Sequence, residues 1–281
     1  MHATSTSRIG ACTWSLRATD LDHTLAMIRT NIGVSAVQLA LDPIIDAGLP
    51  TERVQASLEQ HGIRAVSAMM APVGEDYSTP DSIRRTGGFL PDSTWDDNRR
   101  RAALIARAAH KLGIPLVTFH AGSFLRPDDT LSTHMLERVR TITDIFNDLD
   151  IRVALETGHE PATHTMDMLD ALGRDGAGVN FDPANIILYD RGDPSEALAT
   201  LMPRVVQCHV KDARPPAHAG EWGTEVPVGS GDVDWNDIFA QLDKADRCID
   251  LLVERESGDA RVADICTAIA LVRSIAPGRY A

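Results

Sequence analysis

The sequence predicts an α/β protein folded as a single (β/α)8 TIM barrel, and three observations support this. Short apolar runs alternate with amphipathic segments along the 281 residues, which is the pattern of repeated strand–helix units. Eight units can be counted, and a (β/α)8 barrel typically needs about 250 residues. No linker or low-complexity segment interrupts the series, so we expect one domain over residues 1–281. A doubly wound open sheet stays open as an alternative, because it shows the same alternation.

The predicted elements follow each other in strict alternation. The strand candidates lie at 8–14, 34–41, 63–70, 115–120, 151–156, 177–182, 204–210 and 249–254. The helix candidates lie at 20–31, 51–61, 95–112, 131–149, 162–173, 193–202, 234–243 and 259–275. Asp193 before Pro194 is typical of a helix start, and Gly62 and Gly173 stand where helix ends are expected.

Two connections are longer than ordinary loops. Residues 71–94 follow the third strand, and residues 211–233 follow the seventh. Both leave the carboxyl ends of their strands, which is the end where barrel active sites are built. We therefore expect them to form walls or lids over the active-site mouth.

Composition excludes several classes of protein. The formal net charge is −13, and the only cluster of basic residues is the short run 99–101, which argues against a nucleic-acid partner. The four cysteines form no C-x-x-C pair, so neither a zinc knuckle nor a disulfide framework is indicated. No apolar run approaches the roughly 18 residues of a membrane span, and the N-terminus lacks the features of a signal peptide. We expect a cytoplasmic protein that acts on a small polar molecule.

The last four predicted strands each finish in a potential metal ligand. These residues are Glu156, Asp182, His209 and Glu254. Strand ends converge at one mouth of a closed barrel, so the four side chains are expected to meet. Three carboxylates and one imidazole suit Mn²⁺ or Mg²⁺, with Co²⁺ or Zn²⁺ as competitors. Ligand positions left free by the protein could take a substrate carbonyl and a neighbouring hydroxyl.

A structural role for these residues is the alternative. An acid at a strand end is often the N-cap of the next helix. Asp182 fits that description, because Pro183 follows it and proline is favoured at the first helical position.

The motifs around these residues resemble the xylose-isomerase-like TIM barrels. This family comprises sugar-phosphate isomerases and epimerases, ketose 3-epimerases, inosose dehydratases and endonuclease-IV-like proteins. The resemblance covers nearly the whole chain and is carried by LETGHE (155–160), NFDPANIILY (180–189), CHVKDA (208–213), EVPVGSGDVDW (225–235) and LLVERESG (251–258).

The resemblance implies a metal-dependent isomerase or epimerase. Glu156, Asp182, His209 and Glu254 would occupy the metal-ligand positions. Glu156 and Glu254 would also be the catalytic acid/base pair, exchanging protons with opposite faces of the substrate through a metal-bound enediolate. A homodimer or homotetramer is a further expectation from the resemblance.

Two positions depart from or complicate the family pattern. The epimerases and nucleases carry a histidine where this chain has Asn185. That change disfavours a trinuclear zinc cluster and hence a nuclease, although Asn185 can still hydrogen-bond to a substrate. Glu160 is closer to Glu156 than its epimerase counterpart is, so its alignment as a substrate contact is uncertain.

Four more residues are candidate substrate contacts. His120 ends strand four, and the alternative is a histidine bonded to backbone. Lys211 and Arg214 follow His209 and would bind a hydroxyl, carboxylate or phosphate, or else pair with nearby acids. Trp14 ends strand one and is expected either to form an apolar wall for sugar carbons or to pack in the core.

Three functions are therefore weighed. The first is a sugar, sugar-phosphate or polyol isomerase/epimerase that abstracts a proton α to a carbonyl. The second is a dehydratase of the inosose or dehydroshikimate type, a lyase that uses the same site to expel water. The third is a non-catalytic barrel that binds a polyol or a metal. The ligand set does not separate the first two.

Overall fold

The computed structural model describes residues 7–18, 20–123, 130–245 and 247–280. Eight parallel strands close into a barrel, in the order β1-β10-β7-β6-β5-β4-β3-β2. The barrel strands are β1 (Ile9–Cys12), β2 (Ala36–Ala40), β3 (Arg64–Met69), β4 (Leu116–Phe119), β5 (Arg152–Glu156), β6 (Ala177–Phe181), β7 (Val205–Val210) and β10 (Asp250–Val253). The predicted (β/α)8 barrel is confirmed, and the open sheet is excluded because β1 pairs with both β2 and β10.

Helices occupy the connections between the barrel strands. They are α1 (Leu21–Met27, continued to residue 32 as a π-helix), α2 (Asp42–Asp46), α3 (Thr51–His61), α4 (Pro80–Thr86), α5 (Asp92–Lys111), α6 (Thr130–Asn147), α7 (Ala162–Leu172), α8 (Pro183–Leu188), α9 (Pro194–Leu201), α10 (Trp235–Asp243) and α11 (Arg261–Ile275). Their apolar faces pack on strands that are buried almost throughout, as expected where helices cover a parallel sheet. Across the described part of the chain, no helix is both long and apolar enough to cross a bilayer.

Both long connections contain secondary structure that the periodicity did not predict. Residues 71–94 include α4, whose N-cap Thr79 accepts a hydrogen bond from Ser82 N and precedes Pro80. The segment 211–233 includes an antiparallel hairpin of β8 (Asp212–Arg214) and β9 (Thr224–Val226). These elements are three to seven residues long, too short to show a helical or strand period.

Candidate metal centre and active site

The four predicted ligands meet at the carboxyl end of the barrel. Glu156 ends β5, Asp182 follows β6, His209 lies in β7 and Glu254 follows β10. One ligand atom from each residue lies within 4.8 Å of the others, and all four residues are buried. Such spacing is compatible with one shared cation, because metal–oxygen and metal–nitrogen bonds of about 2.0–2.6 Å place ligand atoms a few ångströms apart.

Asp182 combines the two roles that the sequence left open. Its Oδ1 accepts hydrogen bonds from Ala184 N at 2.8 Å and Asn185 N at 3.1 Å, and so caps helix α8. Its Oδ2 is buried and has no hydrogen-bond partner among the described residues. This oxygen lies 3.7 Å from His209 Nδ1, inside the cluster. The helix cap thus orients one carboxylate oxygen and leaves the other for a cation.

His209 is oriented by a contact behind the cluster. Its Nε2 lies 2.6 Å from Gln38 Oε1. The amide of Gln38 is fixed in turn, because its Nε2 donates to Thr118 Oγ1 at 2.7 Å. A proton on His209 Nε2 leaves the lone pair on Nδ1, which is buried, has no hydrogen-bond partner in the described chain and lies 3.4 Å from Glu156 Oε1. Outer contacts of this kind fix the tautomer of metal-binding histidines.

The two glutamates are each held by uncharged or cationic donors. Glu254 accepts from Trp14 Nε1 at 2.6 Å and from Lys211 Nζ at 2.9 Å. Glu156 accepts from Asn180 Nδ2 at 3.1 Å and from Asn185 Nδ2 at 3.3 Å. Donors on both carboxylates restrain their rotation and favour the ionised form.

Burial and the charges of neighbouring residues shift the pKa values of the cluster residues, lowering that of Glu254 and raising those of His209 and Asp182. Burial raises the pKa of Glu254, but Lys211 and His209 lower it more, so that it lies well below 4.5. Burial lowers the pKa of His209, but Glu156 and other negative neighbours raise it well above 6.5. Burial dominates at Asp182, whose pKa is raised despite Lys211. Without a cation, the cluster therefore keeps a proton, on His209, at neutral pH. A bound divalent cation would supply that positive charge in its place.

The residues present fit a divalent metal ion. Asp182 Oδ2 and His209 Nδ1, two buried polar atoms with no hydrogen bond to any described residue, belong to one cluster of three carboxylates and an imidazole. Lys211 Nζ lies 3.7 Å from Asp182 Oδ2, too far for a hydrogen bond. An unpaired buried polar atom costs free energy unless a ligand or cation satisfies it. The predominance of oxygen donors favours Mn²⁺ or Mg²⁺.

A cavity of about 650 Å³ opens above this cluster. Its volume lies in the range of small-molecule sites, about 300–1,000 Å³. Four of the predicted substrate contacts line it, namely Trp14, His120, Asn185 and Lys211. His120 Nε2 lies 3.6 Å from Glu156 Oε1, at the edge of the cluster. Trp14 is more than an apolar wall, because its indole N–H bonds Glu254.

Two predicted contacts do not line this cavity. Arg214 is exposed and donates to the carbonyl oxygen of Ser230 at 2.8 Å, because β8 pairs it with the opposite strand of the hairpin. Glu160 is buried in a small adjoining pocket that it shares with His120, His159 and Tyr189.

Several residues of the cavity wall were not anticipated. They are Glu75, Tyr77, Tyr189, Trp222, Glu225 and Glu256. Glu75 and Tyr77 lie in the connection after β3, and Trp222 and Glu225 in the connection after β7. The position of those connections above the mouth pointed to these four residues, and Tyr189, Glu225 and Glu256 lie within motifs that carry the family resemblance.

Comparison with known proteins places these features in a family. A family model described as xylose isomerase-like TIM barrel matches residues 30–275. No curated protein matches the chain. A xylose isomerase domain protein from Planctomyces limnophilus superposes with a TM-score of 0.88 and 25% identity, over 96% of this chain and 98% of the other.

Two further solved structures share the fold at lower identity. A xylose isomerase-like TIM barrel protein from Mycobacterium smegmatis in complex with magnesium gives a TM-score of 0.72 and 18% identity, over 98% of this chain and 99% of the other. The 3-keto-D-glucoside 4-epimerase YcjR from E. coli gives a TM-score of 0.72 and 14% identity, over 95% of this chain and 99% of the other. With a family model that covers most of the chain and a barrel of matching topology, this protein belongs to the xylose isomerase-like TIM barrel family.

Proposed function

We propose that this protein is a divalent-metal-dependent isomerase or epimerase that abstracts a proton α to the carbonyl of a sugar or polyol. The observation that carries the proposal is the convergence of Glu156, Asp182, His209 and Glu254 below a cavity. Within the described residues, Asp182 Oδ2 and His209 Nδ1 have no hydrogen-bond partner. A bound Mn²⁺ or Mg²⁺ would supply Lewis acidity to the substrate carbonyl. The magnesium complex and the epimerase among the similar structures support this assignment.

The two glutamates are proposed as the proton-transfer pair. Glu156 stands on β5 and Glu254 after β10, and β6 and β7 lie between them in the barrel. The carboxylates therefore approach the mouth from different sides, as exchange at two faces of one carbon requires. The low pKa of Glu254, set by Lys211 and His209 against the effect of burial, keeps this group ionised, which a general base must be before it accepts a proton.

Surrounding residues are proposed to position substrate and base. Trp14 and Lys211 hold Glu254, and Asn185 holds Glu156. His120 lines the cavity beside Glu156 and can donate a hydrogen bond to a substrate oxygen. Loss of a β-hydroxyl as water after the same proton abstraction would make the protein a dehydratase, so product analysis decides between isomerase and lyase.

The test is a screen of the metal-loaded protein in D₂O. Ketoses, ketose phosphates and inososes are incubated with protein and Mn²⁺, and the products are analysed by NMR and mass spectrometry. Isomerisation or epimerisation incorporates deuterium and conserves the carbon skeleton and its oxygens, whereas dehydration removes one water. A barrel that only binds a polyol or a metal incorporates no deuterium into any compound.

Glu254→Gln tests the assignment of the base. It should lower the exchange rate by about 100-fold or more, since general-base catalysis typically contributes that much, while circular dichroism shows an unchanged fold. Glu52→Gln, an exposed residue in the first turn of α3, is the control and should exchange at the wild-type rate. Normal exchange in Glu254→Gln would remove this residue from the mechanism.

Two further expectations belong to this proposal. We expect a cytoplasmic enzyme that assembles as a homodimer or homotetramer. Analytical ultracentrifugation of the metal-loaded protein measures the assembly directly.

A further inference from the structure

The cavity above the metal cluster is strongly acidic. Six of its lining residues are acids, namely Asp42, Glu75, Glu156, Glu225, Glu254 and Glu256. Lys211, the lysine of the lining, is already bonded to Glu256 Oε2 at 2.7 Å and Glu254 Oε2 at 2.9 Å. Glu75 accepts from two uncharged donors, Gly88 N and Tyr77 OH. An anionic substrate would enter against this field.

Glu225 lies in the connection after β7 and is hydrogen-bonded to the segment after β10, and TIM barrels frequently bind phosphate between these two connections. That place is formed by the loops after the last two barrel strands, where backbone N–H groups point toward the mouth. Here the Glu225 carboxylate, carried by the hairpin strand β9, accepts from Glu256 N at 3.0 Å and Ser257 N at 3.1 Å. It also accepts from Arg255 Nη1 at 2.6 Å. Two backbone donors and a guanidinium are the groups that would otherwise hold a phosphate.

The contact between Glu225 and Arg255 is enclosed. Their side chains are only 6% and 9% exposed. Arg255 is fixed on its other side, because its Nε donates to Asp264 Oδ2 at 2.9 Å. An incoming anion would have to displace a buried carboxylate from a charge-assisted position in which three donors hold it, and this opposes anion binding.

We propose that Glu225 acts as a built-in anion at the phosphate position of the barrel, so that the cavity takes uncharged polyhydroxy carbonyl compounds and excludes phosphate esters and carboxylates. This inference rests on the proposed function for the reaction and adds the charge class of the substrate. Hydroxyl groups are hydrogen-bond donors, which suits a wall of carboxylate acceptors. The unphosphorylated sugar is thereby selected by a protein carboxylate and not by the metal site.

Binding of inorganic phosphate to the Mg²⁺-loaded full-length protein tests the proposal, measured by calorimetry. The wild type should bind phosphate weakly. Glu225→Ala should bind it at least tenfold more tightly, because Arg255 Nη1 and the N–H groups of residues 256 and 257 become available. Glu225→Gln keeps the size of the side chain, is a safeguard should the alanine variant unfold, and should show a smaller gain in the same direction.

Glu75→Gln is the matched control for charge alone. It removes one negative charge from the same cavity and frees no guanidinium. A gain in phosphate affinity that is confined to the Glu225 variants supports the proposal. An equal gain in Glu75→Gln, no gain in either Glu225 variant, or tight phosphate binding by the wild type overturns it.

Proton exchange in D₂O supplies a second readout on matched substrates. Wild type should exchange ketoses at least tenfold faster than their phosphate esters, and Glu225→Ala should reduce that ratio at least tenfold. A wild type that prefers the esters overturns the inference while leaving the proposed chemistry intact. If no compound exchanges, the proposed function fails, and the phosphate-binding result still decides the role of Glu225.

Discussion

Asp182 divides its two carboxylate oxygens between a helix cap and the metal cluster, so one substitution can separate the two roles. Asparagine caps helices about as well as aspartate, but its amide nitrogen cannot ligate a cation. We expect Asp182→Asn to bind Mn²⁺ about 100-fold more weakly or worse. Removing a hydrogen-bond partner of a metal ligand typically lowers metal affinity about 10–100-fold, and removing a ligand itself should lower it at least as much. The metal-free protein should stay as stable as the wild type, because removing a carboxylate whose pKa is raised by burial relieves a desolvation cost.

Calorimetric titration with Mn²⁺ and urea unfolding in EDTA measure these two properties of the Asp182 variants. Asp182→Ala is the control, because it loses the cap as well and should be less stable by about 1 kcal/mol. Wild-type affinity for Mn²⁺ in Asp182→Asn would contradict the assignment of Oδ2 as a ligand.

Gln38 contacts the candidate metal cluster through His209. Its Oε1 lies 2.6 Å from His209 Nε2, where it can accept a hydrogen bond from the tautomer that presents the Nδ1 lone pair to the cluster. We expect Gln38→Leu to weaken Mn²⁺ binding by about 10–100-fold. Gln38→Glu retains an acceptor toward His209 and should bind more tightly than the leucine variant, which a purely structural role for Gln38 would not produce. Titration of all three proteins with Mn²⁺ checks the order.

At the scale of elements, Asp212 anchors the hairpin that carries Glu225. Its fully buried carboxylate accepts hydrogen bonds from the N–H groups of Gly229, Gly231 and Val233 and from Trp235 Nε1. Asp212→Asn turns an NH₂ group toward these donors, and a lost hydrogen bond to a charged group costs about 1.5–3 kcal/mol. We expect faster hydrogen–deuterium exchange in residues 224–233, with the barrel strands still protected. The exposed neighbour Asp232, changed to Asn, should leave exchange unaltered.

Elements long enough to show a helical or strand periodicity were predictable from the sequence. Very short elements, and contacts between residues far apart in the sequence, were not. The barrel strands and the meeting of Glu156, Asp182, His209 and Glu254 followed from alternation and from the rule that parallel strand ends converge. Helix α4 spans seven residues and shows too little period to stand out. The Thr79-Pro80 start signal is present in the sequence, but it lies inside the long connection predicted for residues 71–94.

The sequence did not predict the roles of Gln38 and Glu225 or the orientation of Arg214, because these depend on contacts between residues far apart in the sequence. Gln38 lies 171 positions from His209, and no local pattern links an uncharged residue on β2 to a ligand on β7. Glu225 lies 30 positions from Arg255, and its position depends on a hairpin with strands of three residues. Arg214 was predicted to reach the substrate because it is close to His209 in sequence, but the pairing of β8 with β9 turns it toward Ser230.

For the whole molecule, the metal-free cluster makes stability depend on pH. The pKa of His209 is lowered by burial but raised further by Glu156, and lies well above 6.5. His120 shifts in the same direction for the same causes. A histidine whose pKa is raised by folding contributes stability that is fully present below about pH 6.5 and is lost as pH rises through the folded-state pKa.

Metal binding should cancel the part of this slope that comes from His209, because a cation on His209 Nδ1 competes with the proton there. Between about pH 6.5 and 8 the free energy of unfolding in EDTA should fall with pH. Mn²⁺ adds about 2.7 kcal/mol to the free energy of unfolding when free Mn²⁺ is 100 times Kd. This added stability should grow by about 1.4 kcal/mol per pH unit if the metal displaces one proton.

Urea unfolding at four pH values, with EDTA and with Mn²⁺, measures how the free energy of unfolding depends on pH in each condition. His209→Gln should make the EDTA slope shallower, leaving the part due to His120, and should remove the growth of the Mn²⁺ increment with pH, since the competing imidazole is gone. Parallel slopes in EDTA and Mn²⁺ would mean that His209 keeps its proton and does not ligate the metal.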